Sequence, residues 1–114
     1  MPNIFNKEQN IAECDIAKIL PILNSRWTLP IIYYLSFGFL RFSELKRKLP
    51  PLADSNYSKV LRNLVQFGLI KRVEHRAVPS KVVYSLTELG TRILPIMQEM
   101  EKYSDYYFKH FTLK

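Results

Sequence analysis

The chain has 114 residues, of which 47% are hydrophobic and 24% charged, and its formal net charge is +7. This length suits one domain with one core, and the composition is that of a globular rather than a disordered protein. Three glycines exclude a glycine-rich phosphate loop, and a single cysteine excludes an internal disulfide and suits a reducing cytoplasm.

The N-terminal third predicts two helices. Apolar residues recur at helical spacing over about 14–23, which predicts a first helix there. Asn24-Ser25 indicates a break and an N-cap, so a second helix is expected over 25–37, ending at Gly38. It occupies the longest uncharged stretch, 27–40, which is too short to span a bilayer and is expected to lie in the core. Because the first residues also lack the pattern of a signal peptide, we expect a cytoplasmic protein with no membrane partner.

Two more helices are predicted in the middle of the chain. A short apolar face that ends before Pro50-Pro51 marks the third helix: Phe42, Leu45 and Leu49. The fourth is predicted over 55–67, with Gly68 as its C-cap. On a helical wheel its apolar residues share one side, namely Tyr57, Val60, Leu61 and Leu64. The opposite side carries residues at steps of four, three and four: Ser55, Lys59, Arg62 and Gln66.

The period of the pattern then changes. Short runs rich in β-branched and aromatic residues predict a β-hairpin over about 69–86, with a polar loop at 75–81. Thr87 is the expected N-cap of a last helix over about 88–108, in which Pro95 is expected to introduce a bend. This order predicts a mainly α protein with a small hairpin wing (α+β), that is, a winged helix-turn-helix in one domain that spans the whole chain.

All of the net charge lies in the middle of the chain. The segment 41–81 contains ten basic and three acidic residues, a balance of +7, whereas the remainder is neutral. Phosphate neutralisation requires clustered cations, so this asymmetry favours nucleic acid as a partner. A solvated basic surface would give the same count, so charge alone leaves both interpretations open.

The fourth helix has the polar side chains that a base-reading helix needs. Arg62 can pair with guanine and Gln66 with adenine, while Lys59 can contact phosphates or base edges. The candidate DNA-contacting residues of this helix are Ser55, Asn56, Ser58, Lys59, Arg62 and Gln66. An ordinary amphipathic surface helix would present a similar polar face, so the neighbouring elements decide between the two.

Those neighbours are also cationic. Arg41 and Lys46 of the third helix are expected to touch the DNA backbone from behind the reading helix, and Arg76, Ser80 and Lys81 would let the hairpin loop contact an adjacent groove or phosphates. Three cationic elements in this order predict an interface for double-stranded DNA.

Several ordered motifs point to one family. Cys14 is followed thirteen positions later by Trp27. The other motifs are Arg41-Phe42-Ser43-Glu44-Leu45-Lys46, Leu61-Arg62-Asn63-Leu64, Gly68-Leu69-Ile70-Lys71-Arg72, Val78-Pro79 and Val83-Tyr84-Ser85-Leu86-Thr87-Glu88-Leu89-Gly90. With these motifs the chain resembles the HxlR-type winged helix regulators, relatives of the MarR-type regulators, over about 14–100. The resemblance implies a homodimeric, sequence-specific transcription regulator with 55–67 as the recognition helix.

The resemblance also implies dimerisation through the N-terminal and C-terminal helices. We expect the interface to contain apolar residues of both: Ile16, Ile19, Leu20, Ile93, Met97 and Met100. Such a dimer would read an inverted repeat with half-sites about 10 bp apart. Cys14 matches the cysteine with which several family members sense oxidants or electrophiles, although a small buried hydrophobe would fit the same position. The sequence does not identify an effector.

Other function classes have little support in the sequence. Cys14, His75 and His110 are scattered without ligand spacing, so no metal site and no cofactor are expected. Neither histidine lies in a nucleophile motif, so we do not expect an enzyme. Trp27, Phe42 and Tyr84 are expected to be core residues rather than base-stacking ones. The remaining alternative is a winged helix that binds proteins or RNA without operator specificity.

Overall fold

A computed structural model describes residues 15–51, 53–76 and 81–112. Its elements, in chain order, are α1 (Asp15–Leu23), α2 (Thr28–Leu35), β1 (Leu40–Arg41), α3 (Phe42–Lys48), α4 (Asp54–Gln66), β2 (Ile70–His75), β3 (Lys81–Leu86), α5 (Glu88–Thr91) and α6 (Leu94–His110). In these ranges no helix is both long and apolar enough to cross a membrane. The order confirms the predicted winged helix-turn-helix architecture.

The three strands form one antiparallel sheet in the order β1-β3-β2. β2 and β3 pair from Ile70 opposite Leu86 to His75 opposite Lys81, which is the predicted hairpin. β1 adds Leu40 opposite Tyr84 on the other edge of β3. The sequence did not predict β1, because two residues are too few to show the period of a strand.

The core lies where α2, α3 and α4 meet the sheet. Its most buried side chains include Ile32, Leu64 and Ile70, each at most 1% exposed. Trp27, Phe42 and Tyr84 are half-buried and pack against this cluster, as predicted. The second helix is shorter than expected and ends at Leu35. Its N-cap is Trp27 rather than Asn24 or Ser25, because Ser25 lies in a turn ahead of the helix, where its Oγ accepts the Trp27 N–H at 3.2 Å.

The last predicted helix is divided in two. α5 ends at Thr91 and α6 begins at Leu94, so the chain breaks ahead of Pro95 rather than bending at it. Proline has no N–H to donate to the Thr91 carbonyl, and its ring would clash with that carbonyl in a continuous helix. At the break the Ile93 N–H bonds the Gly90 carbonyl at 3.2 Å, and Pro95 occupies the first turn of α6.

One threonine joins the end of α4 to the start of α5. The Thr87 Oγ accepts the Gly90 N–H at 3.1 Å, which confirms the predicted N-cap, and donates to the Gly68 carbonyl at 2.5 Å. Gly90 is buried, and a Cβ built there would lie 2.1 Å from the Leu69 carbonyl oxygen. Only glycine therefore fits this close approach.

Replacing Thr87 by alanine tests this junction. The variant loses both hydrogen bonds, so we expect about 1–2 kcal/mol of destabilisation and a Tm lower by roughly 5–15 °C at fixed protein concentration. Thr91→Ala removes a hydroxyl that only bonds the exposed Thr87 carbonyl at 2.9 Å, and should change stability by less than about 0.5 kcal/mol. Equal losses in the two variants, measured by thermal unfolding, would show that Thr87 is not a special link.

Candidate nucleic-acid interface

α4 is two-sided, as its pattern predicts. Tyr57, Leu61 and Leu64 are at most 2% exposed and face the core. The four residues of the predicted reading stripe are all exposed on the other side: Ser55, Lys59, Arg62 and Gln66. From first to last they cover about 16 Å of helix axis, more than the roughly 12 Å width of the DNA major groove. Asn56 is exposed beside them, whereas Ser58 is half-buried.

The core side of α4 is held at both ends. The Tyr57 hydroxyl donates to the Pro50 carbonyl, and the Trp27 and Tyr57 rings meet edge to face with their centroids 5.9 Å apart. At the other end Gly68 has a φ of +77°, and the Leu69 N–H returns to the Leu64 carbonyl at 3.0 Å. These contacts fix the orientation of the exposed stripe, which a reading helix requires.

α3 lies beside the start of α4, and one ion pair links the two helices. The Lys46 ammonium bonds the carboxylate of Asp54, the first residue of α4. The ammonium also lies 5.8 Å from the centre of the Phe42 ring. Lys46 is thus half-buried and already paired in the free protein, whereas the sequence predicted a cation that simply faces the DNA backbone.

The strand register brings Arg41 close to the wing. Arg41 lies opposite Val83, and side chains alternate along a strand, so Arg41 and Lys81 point to the same face of the sheet. Their Cα atoms are diagonal neighbours, about 7–8 Å apart. Arg76 is exposed at the end of β2, and Ser80 lies outside the described residues. β1, which the sequence did not predict, therefore places Arg41, the residue before α3, next to the wing.

Most of the basic side chains on these elements are available for phosphates. In the described parts of the chain, Lys59, Arg62 and Lys81 form no ion pair. The acidic residues nearby are already in use: Glu44 accepts the Arg41 backbone N–H at 2.9 Å, and Glu74 lies 4.0 Å from Arg72. The arrangement can neutralise several phosphates and offers hydrogen-bond donors to base edges.

The two terminal helices present apolar surface. α1 and α6 have no buried residues, and Ile16, Ile19 and Leu20 are 42–55% exposed. On α6 the exposed apolar side chains are Ile96, Met100, Tyr103, Tyr106 and Phe108.

Two residues of the predicted dimer interface pack partly within their own chain. Ile93 and Met97 are half-buried against the core, whereas the predicted Met100 is exposed on α6 together with Ile96 and Tyr103. The sequence pattern could have found Ile96 and Tyr103, because both lie three or four residues from Met100. Cys14 lies outside the described residues, and within them no three potential metal ligands come together.

Comparisons with known proteins agree with this geometry. The family model described as HxlR-like helix-turn-helix matches residues 22–112. The HTH-type transcriptional regulator YkvN of Bacillus subtilis is 36% identical over 94 residues, which are 82% of this chain and 80% of YkvN.

Solved structures extend the agreement to three dimensions. A MarR-family transcriptional regulator from Porphyromonas gingivalis W83 superposes with a TM-score of 0.77 at 36% identity, over 84% of this chain and 94% of that one. The reduced form of the transcriptional regulator YodB from B. subtilis gives a TM-score of 0.77 at 29% identity, over 85% of this chain and 95% of YodB.

Proposed function

The chain belongs to the HxlR-like helix-turn-helix family and is a DNA-binding transcription regulator, and on this premise we propose that it binds an inverted-repeat operator as a homodimer. The whole chain, 1–114, would act as one DNA-binding domain. The observation that carries the proposal is the exposed polar stripe of α4, held from beneath by the core and flanked by basic residues of α3 and the wing.

Each part of this surface has a distinct task. Arg62 and Gln66 read base edges in the major groove, because guanidinium and amide groups can bond guanine and adenine at two points. Asn56, at the N-terminal end of α4, adds a further donor and acceptor. The phosphate contacts come from the other cations and from small hydroxyls: Arg41, Ser55, Ser58, Lys59, Arg76, Ser80 and Lys81. Lys46, which is paired with Asp54, contributes less.

The apolar faces of α1 and α6 support the homodimer. Met100 and Tyr103 are 52% and 65% exposed. Burying such large apolar side chains in a subunit interface is favourable, because it removes their surface from water. A two-fold interface along α6 repeats the same patch in both subunits and sets two recognition helices one DNA turn apart. We therefore expect half-sites about 10 bp apart, centre to centre.

Selection of bound duplexes from a random pool tests the proposal. We expect an inverted repeat to be recovered, and binding to it should be at least a thousandfold tighter than binding to a scrambled duplex. For both duplexes the logarithm of the affinity should fall linearly with the logarithm of the salt concentration, by about 0.9 for each phosphate contact. Equal affinity for all duplexes, or tighter binding to RNA, would favour an interaction module instead.

A redox response through Cys14 also belongs to this proposal. It is supported by the position of Cys14 in the sequence and by the likeness to YodB, whose structure was solved as a reduced form. The thiol would be oxidised to a sulfenic acid, or to a disulfide with a partner chain or a small thiol. We expect peroxide to change the operator affinity of the native protein but not that of Cys14→Ser. The same response in both proteins would exclude Cys14 as the sensor.

A further inference from the structure

The contact between Lys46 and Asp54 places a carboxylate at the start of the reading helix. Asp54 is the first residue of α4 and its side chain is 68% exposed, whereas the Lys46 side chain is 35% exposed and rests on the Phe42 ring. Lys46 is therefore the more constrained partner, and its ammonium is held at the junction of the two helices of the helix-turn-helix.

The other acidic residues of the basic segment are used differently. Glu44 accepts the backbone N–H of Arg41, at the start of its own helix. Glu74 lies 4.0 Å from Arg72, two residues away along the same strand, and both side chains are about half exposed. Among the described residues, the Asp54–Lys46 pair is the ion pair that joins α3 to α4.

The ion pair with Asp54 reduces the binding free energy that Lys46 can gain from a DNA phosphate. The Asp54 carboxylate offsets the charge of the Lys46 ammonium, so a phosphate gains less from Lys46 than from an unpaired lysine. Phosphate contacts are independent of sequence and supply most of non-specific binding, whereas base contacts supply specificity. A carboxylate that neutralises a backbone-binding cation thus lowers the sequence-independent part of binding on every duplex, while the base contacts of α4 remain.

We propose that Asp54 limits the affinity of the protein for the DNA backbone, because its carboxylate neutralises Lys46 in place of a DNA phosphate. The proposal rests on the proposed function, since it concerns the strength with which the regulator binds DNA. Asp54 was not among the DNA-contacting residues that the sequence predicted.

The test compares Asp54→Asn with Glu74→Gln, two variants with the same loss of negative charge on the same basic segment. The probes are the selected operator and a scrambled duplex, titrated by fluorescence anisotropy between about 50 and 300 mM salt. We expect Asp54→Asn to bind the scrambled duplex roughly four- to twentyfold tighter, because each dimer frees two cations. The salt slope should steepen by about 2 on both duplexes, and the affinity for the operator should rise by a similar factor.

Further variants separate this effect from folding and from overall charge. Asp54→Ser, which keeps a residue suited to a helix start, should behave like Asp54→Asn. Adding Lys46→Met to Asp54→Asn should return the salt slope to that of the native protein. Glu74→Gln should leave the salt slope unchanged, because Arg72 lies 4.0 Å from Glu74 and its half-exposed guanidinium is already accessible to phosphates.

Three results would overturn the proposal. One is an equal gain in Glu74→Gln and Asp54→Asn, which would make the effect one of net charge. Another is a parallel loss of affinity for both duplexes and of Tm in the Asp54 variants, which would make Asp54 a structural residue. The third is a gain that persists in the Lys46→Met double variant. If the native protein itself fails to distinguish operator from scrambled DNA, the proposed function fails instead.

Discussion

Replacing Met100 by aspartate is expected to convert the proposed homodimer into a monomer and to weaken operator binding at least a hundredfold. Met100 lies on the exposed apolar face of α6 with Ile96 and Tyr103. In a two-fold interface one substitution introduces two carboxylates, and a buried charge without a partner costs several kcal/mol. A monomer also loses the effective concentration by which the first half-site assists the second, a factor of about 10²–10⁴.

Sedimentation velocity at micromolar concentration measures the first effect, and anisotropy with the selected operator measures the second. Lys102→Asp is the matched control, since it places the same side chain on the same helix, where the Lys102 ammonium pairs with Glu99 at 3.1 Å in solvent. This control should remain dimeric. If Met100→Asp also sediments as a dimer, α6 is not the interface and the predicted spacing of the half-sites loses its basis.

Replacing Arg62 by alanine is expected to cost about 1–3 kcal/mol of operator binding per half-site. Its guanidinium is exposed at the centre of the stripe, and the described residues offer it no carboxylate. A second selection with the variant should recover operators that have lost their preference at one base pair in each half-site, while binding to scrambled DNA changes little. Since Arg62 is exposed, the Tm should stay within a few degrees of the native value.

Lys59→Ala is the matched control for the reading role of Arg62. It removes a cation one turn away on the same exposed side, and we expect it to weaken binding to every duplex by a similar factor and to lower the salt slope by about 1 per subunit. If Arg62→Ala behaves in the same way, with an equal loss on every sequence, Arg62 contacts phosphate and the reading role passes to Gln66 or Asn56.

The elements that carry a repeating pattern were predictable from the sequence. The apolar period of α4 is long enough to show which residues are buried, and the exposures of Leu61 and Arg62 agree with it. Thr87 was predictable as an N-cap because it directly precedes a helical pattern, where a hydroxyl oxygen can accept a free N–H of the first turn. In contrast, β1 is too short for a pattern, and the pairing of Lys46 with Asp54 depends on the angle between two helices, which no local period reports.

α6 shows a different limit of prediction. Its apolar residues cover more than one side of the helix, so the sequence could not separate those that pack on the chain's own core from those that face outward. Met97 belongs to the first group and Met100 to the second, although both have the same side chain and lie three residues apart. Only the packing of α6 against α2 makes this distinction.

In the proposed dimer, the close approach of Gly90 to the Leu69 carbonyl would also affect how two half-sites can be spaced. Thr87 bonds residues on both sides of this contact and so ties α5 to the end of α4, and Arg92 and Ile93 separate α5 from α6. α6 is about 25 Å long, so a change of about 8° in its angle at this break would move its far end by roughly 3.5 Å. That displacement equals about one base-pair step. In the proposed dimer, small changes in the angle of α6 would therefore decide which operator spacings both recognition helices can reach at once.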